Sequence, residues 1–143
     1  MMEKGPRAET KGIEFVLSSL SDARKRLASM DSEEKLRNSS RIWEVYCDIE
    51  QAIEVSKFVF GLHDRLGTIR ALRVSKKDDL RTSHIDVLSA KYKLVNLEIA
   101  SAEKEYEMGD SESAIEFARK ARDELKVLLL GEGIMKGIKK KKY

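Results

Sequence analysis

Residues 39–67, SSRIWEVYCDIEQAIEVSKFVFGLHDRLG, decide the fold. Val45, Ile49, Ala52, Ser56, Val59, His63 and Leu66 follow one another at alternating steps of four and three, and Ile42 extends the series backward, so all fall on one stripe of a helix. Tyr46, Ile53, Val55, Phe60 and Leu62 widen that stripe. A face this broad needs cover on more than one side, which makes the segment the central helix of a bundle and not a lone coiled-coil strand. The helix is expected over 32–66, weakest near Ser39. Asp31 and Glu34 form a capping box at its start, and Gly67 is placed to end it as a left-handed cap.

Working outward, Ile13, Val16, Leu20, Ala23, Leu27 and Met30 keep the same three and four spacing and predict an amphipathic helix over 12–30. Residues 1–11 are polar and read as a flexible N-terminal arm. On the other side, 68–74 read as a connection that can hold a helical turn, and Ser75-Lys76-Lys77-Asp78 offers a second cap. A helix to residue 108 follows through Leu88, Tyr92, Val95, Ile99, Ala102 and Tyr106. Gly109-Asp110 is the sharpest turn signal in the chain, and a last helix runs to about residue 130 through Ala114, Ala118, Ala121, Leu125 and Leu128. No β-branched run alternates with period two, so no strand is expected. The expectation is an all-α protein, an antiparallel up-down four-helix bundle with two long and two shorter helices. One domain would occupy 12–131, with a basic flexible C-terminal tail over 132–143.

Composition sets bounds on class. A helical domain of 143 residues buries a sufficient core without disulfides or metal. Charged residues make up 37% of the chain while Gln51, Asn38 and Asn96 are its only amides, a bias shared with heat-adapted proteins. The single cysteine, Cys47, excludes an intramolecular disulfide framework and fits a reducing cytoplasm, where it would sit half covered as a small apolar residue. No apolar run reaches the roughly 18 residues of a membrane span, and the start lacks a signal-peptide core. The alkaline balance comes from the tail: without Lys136, Lys139, Lys140, Lys141 and Lys142 the net charge of +3 turns negative.

Motifs for chemistry fall short. A di-iron bundle needs Glu-x-x-His pairs, yet Phe60 and Arg81 stand three residues before His63 and His84. Arg81 and His84 enclose only Thr82 and Ser83, too short for the Arg-His signature of a large helical nuclease and nucleotide-binding superfamily. Gly131 and Gly133 end a helix and do not open one, the wrong polarity for a phosphate loop. No cofactor or metal is expected. An enzyme assembled across helices from Tyr92, Tyr106, His63 and acidic neighbours would need a concave, partly polar pocket.

The stretch 102–121, AEKEYEMGDSESAIEFARKA, resembles a tetratricopeptide hairpin, with Ala102, Gly109, Ala114 and Ala121 at its small-residue positions. Tyr106 and Phe117 lie one place off its aromatic positions, the closing proline is missing, and no second copy occurs at the repeat period. With Leu125 the same residues are similar to hairpins of uncharacterised archaeal helical-bundle proteins. The resemblance implies a helical hairpin and names no activity.

Two surfaces remain. Phe15, Trp43, Phe58 and Leu97 lie off the core stripes and form a candidate surface for a protein partner or a second copy, most simply in a symmetric dimer. The lysines of the tail, beside Tyr143, form a candidate anion-binding segment. The sequence thus points to a non-enzymatic interaction or oligomerisation module, with a nucleic-acid-binding accessory protein as the alternative.

Overall fold

A computed structural model of the chain describes residues 4–61, 72–74, 80, 83–131 and 135–137, with side chains over 11–61, 80 and 83–130. Helices α1 (Lys4–Ala28), α2 (Glu33–Leu36), α3 (Ser39–Phe60), α4 (Ile85–Glu107) and α5 (Ser111–Gly131) account for nearly all of them. The protein is all-α. The four main helices are of similar length, 25, 22, 23 and 21 residues, and not two long and two short. One reason is that α1 reaches back to Lys4 through the segment read as an arm, and Pro6 is tolerated there because first-turn N–H groups have no helical partner.

The long central helix is broken near the expected place. Ser32, not Asp31, caps α2 by accepting from the Lys35 N–H, and Asn38 caps α3 by accepting from the Arg41 N–H at 3.0 Å. Tertiary partners hold the break. Tyr92 Oη donates to the Leu36 carbonyl at 2.7 Å, the Leu80 N–H donates to the Arg37 carbonyl at 2.8 Å, and the Arg37 guanidinium donates to the carbonyls of Leu80 and Ser83. At the other end α3 stops at Gly61, whose φ of 63° places it in the left-handed region and whose N–H closes onto Lys57 and Phe58 carbonyls. Apolar spacing that continues past Gly61 does not outweigh a glycine able to take that conformation without a Cβ clash. His63, the Gly67 cap and the cap at 75–78 lie outside the described residues. The described start of α4 is capped by His84, whose Nδ1 accepts from the Asp86 N–H at 3.2 Å.

The main helices pack in a closed ring, α1 on α3, α3 on α5, α5 on α4 and α4 on α1. Ring neighbours run antiparallel. Arg26, late in α1, pairs with Asp48 at 2.8 Å early in α3, while Gly12 meets Val59 at the opposite end. Lys91 early in α4 pairs with Glu124 late in α5 at 2.7 Å, across the turn made by Gly109 at φ 86°. Arg24 reaches Glu103 at 2.9 Å between α1 and α4, and Glu50 meets Arg122 at 3.2 Å between α3 and α5.

Consecutive order therefore differs from the simple up-down-up-down expectation. Helices α3 and α4 follow each other in the chain yet lie across the diagonal and run the same way: Tyr92 meets Leu36 just before α3 begins, and Tyr106 meets Ser56 near its end. The end of α3 and the start of α4 are then separated by roughly the length of α3, about 33 Å, a distance the intervening chain spans easily. The helices form two antiparallel hairpins joined by one long crossover.

The core fills the ring. Val16, Leu20 and Ala23 of α1, Ile42, Val45, Ile49 and Ile53 of α3, Leu88, Val95 and Ile99 of α4, and Ala114, Ala118, Ala121 and Leu125 of α5 are all buried. The three alanines of α5 permit its close approach to neighbours. Beyond the helices, Leu72–Val74 (β1) pairs antiparallel with Met135–Gly137 (β2), setting Arg73 opposite Lys136. A ladder this short carries no alternation that a sequence reading could detect; it occupies 72–74 of the connection expected to hold a helical turn, and 68–71 lie outside the described residues.

Candidate interaction surface

The four residues expected to form one partner surface take three different positions. Phe15 on α1 is 42% exposed and Phe58 on α3 is 88% exposed. Both flank the α1–α3 seam at the end where Gly12 meets Val59, so the antiparallel pairing brings them to one side of the molecule. Trp43 is not part of that side. Its indole stacks on the Tyr46 ring, centroids 5.0 Å apart and planes 13° from parallel, and it packs against the core. A Trp three residues before a buried Tyr on one helix can cover it, which sequence spacing alone leaves undecided.

Leu97 is 64% exposed on α4, diagonal to α3, and so stands apart from the phenylalanines. It has company that the sequence reading missed. Val87 and Leu94 are 54% and 44% exposed on the same helix, and Ala90 is exposed between them. The signal was present: 87, 90, 94 and 97 repeat at three and four beside the core series 88, 92, 95 and 99, and the stronger series masked the weaker.

Among the described residues, one ion pair is nearly buried. Glu50 and Arg122 face each other with side chains 7% and 13% exposed, and Glu50 Oε2 is buried without a hydrogen-bond partner. Burial pushes the Glu50 carboxyl up against the opposing pull of Arg122, and burial with the Glu50 charge pushes the Tyr46 phenol up as well. Glu98, on the flank of α4 beside α5, has a buried Oε1 without a hydrogen-bond partner, and burial together with Glu124 raises its carboxyl.

Of the residues suspected of assembling an active site, Tyr92 and Tyr106 are not brought together, and His63 lies outside the described residues. Tyr106 is buried with its hydroxyl bonded to Ser56, and burial pushes it up to about 12. Tyr92 lies four turns away, roughly 21 Å along α4, with its hydroxyl committed to Leu36. A cavity of about 240 Å³ between α1, α2 and α4 is lined by Leu27, Ala28, Met30, Leu36, Ser89, Tyr92, Lys93 and Asn96. Cys47 is exposed and not half covered, because its position points away from the stripe that α3 buries. Among the described residues no three His, Cys, Asp or Glu side chains cluster as metal ligands, and no helix is long and apolar enough to cross a membrane.

Of the candidate anion-binding tail, the described part is the backbone of Lys136 in β2; Lys139, Lys140, Lys141 and Lys142 lie outside the described residues. No family model matches this chain, and no curated protein or solved structure is significantly similar to it.

Proposed function

We propose that this chain is a non-enzymatic association module, an antiparallel four-helix bundle that works by binding protein surfaces, including those of its own copies. The observation that carries the reading is the exposure of Phe15, Phe58 and Leu97 on helices whose opposite faces already fill the core. Isolated exposed apolars are ordinary, but a phenylalanine at 88% exposure beside another across one seam costs solubility with no return to the fold. Light scattering of the full chain across about 1–500 µM tests it, a range suited to small interfaces. Mass that rises with concentration, and that falls to the monomer in a Phe15→Ser, Phe58→Ser, Leu97→Ser variant with unchanged circular dichroism, is expected. A constant monomer mass overturns the reading.

A second reading rests on the β1–β2 register. It places Arg73 opposite Lys136, two basic positions on neighbouring strands, and so joins the crossover segment to the lysine tail. A segment of basic positions next to the lysine tail is the composition that neutralises a phosphate backbone. Salt-sensitive anisotropy of labelled nucleic acid, lost on truncation after Gly133, supports this alternative; equal and negligible binding by both chains removes it.

A further inference from the structure

Helix α4 carries two apolar faces, and the described residues cover only one. Leu88, Val95 and Ile99 point into the core, while Val87, Ala90, Leu94 and Leu97 form an outer seam at three and four spacing, the pattern one helix offers another. Charges flank this seam in an order that matters. Lys91 and Glu98, two turns apart, stand on the same flank, the one beside α5, as the Lys91 to Glu124 pair and the closeness of Glu124 to Glu98 establish.

We propose that the outer seam of α4 docks against the same seam of a second copy, antiparallel, with the two-fold axis passing between Leu94 and Leu97. This deepens the association reading and rests on it. The charge pattern selects the occupant. Antiparallel pairing sets Leu94 against Leu97 of the second copy and brings the flank with Lys91 and Glu98 against its own copy in reverse order, so that Lys91 meets Glu98 of the second copy, and the two-fold axis makes each contact twice. Within its own chain the Glu98 carboxylate has a buried oxygen without a hydrogen-bond partner and feels Glu124 against Lys120 and Lys91, the latter already paired with Glu124 at 2.7 Å. Lys91 of the second copy adds a further opposite charge to this flank.

Direction follows from the helix dipoles, which oppose each other in an antiparallel pair and align unfavourably in a parallel one. A parallel pair would also make other contacts, bringing Lys91 and Glu98 against Asp86 and Lys93 of the second copy, so the same variants tell the two directions apart. One like-charged meeting in the antiparallel pair, Asp86 with Glu107 of the second copy, falls at the rim, where solvent and salt screen it. A single helix seam buries little area, so the dimer is weak and concentration-dependent.

The test is a trans-complementation in the full chain, read by sedimentation velocity or light scattering across about 1–500 µM. In a Lys91→Glu chain both inter-copy contacts become acid on acid; in a Glu98→Lys chain both become base on base. Each variant alone should dimerise about tenfold or more weakly than wild type. An equimolar mixture should recover dimer. In the heterodimer the glutamate introduced at position 91 of one chain faces the lysine introduced at position 98 of the other, and at the second contact the native Glu98 of the first chain faces the native Lys91 of the second. Circular dichroism checks that each variant is folded.

If the single variants dimerise like wild type, or the mixture fails to recover, the antiparallel α4 seam is overturned. If dimers are instead dispersed by Phe15→Ser with Phe58→Ser and are indifferent to the α4 changes, the association reading stands and this inference falls. A wild-type chain that stays monomeric at every concentration removes both.

Discussion

Glu50 and Arg122 bring opposite charges into a core built mainly from Leu, Ile, Val, Ala and Tyr. Two nearly buried ions lose hydration that their mutual attraction only partly returns, so the pair does more to penalise wrong packing than to raise stability. Removing one partner is the costly change. Glu50→Ala leaves the nearly buried Arg122 with Asp123 at 3.0 Å as a partner and is expected to lose about 3 kcal/mol in urea unfolding, whereas Glu50→Leu with Arg122→Met recovers most of that loss. The pH dependence has a definite sign. A carboxyl raised above its ordinary 4.5 favours the fold at low pH, and that contribution is lost as pH rises through the raised value. The double variant lacks the group, so its stability relative to wild type should climb as pH rises from about 4 to about 7.

At the scale of the helices, Gly12 shows how one residue sets an approach. A Cβ built there would lie 2.3 Å from Val59 Cγ2, closer than real atoms pack. Alanine in a helix interior is worth about 1 kcal/mol over glycine, and here the clash takes that gain away. Gly12→Ala should leave stability unchanged or lower, while the same substitution in a Val59→Ala background should stabilise by about 1 kcal/mol, both measured by chemical denaturation. Periodicity made the core faces of α1, α3, α4 and α5 legible, because burial selects apolar residues at every third or fourth place. Ends were less legible. Gly61 and Gly67 offer the same local chemistry, and the choice between them depends on what the chain does next. The break at Asn38 is held by Tyr92, Leu80 and Arg37, through contacts that span up to 56 residues. The outer residues fared likewise: Phe58 and Leu97 are exposed as their positions suggested, but Trp43 found cover on Tyr46, and only the direction of the helices separates Leu97 from Phe15 and Phe58.

Across the whole molecule, each hairpin buries one side of its own seam and leaves the rest of its apolar surface to the other hairpin. The contacts that close the ring run between the main helices themselves, and the described part of the connection adds Leu80, which lies in the core and is bonded to Arg37. Cutting the chain should therefore change connectivity without changing the packing that holds it. A specific protease site introduced between residues 62 and 71 would yield one piece with α1 to α3 and a second with β1, α4, α5 and β2, so the ladder stays within one piece. The two pieces are expected to co-elute after cleavage, to separate in denaturant and to recombine on its removal, with helical content restored. In that behaviour the crossover acts as a tether: it raises the effective concentration at which two halves meet, and a chain whose halves recognise each other so fully can also exchange them with a neighbour when crowded.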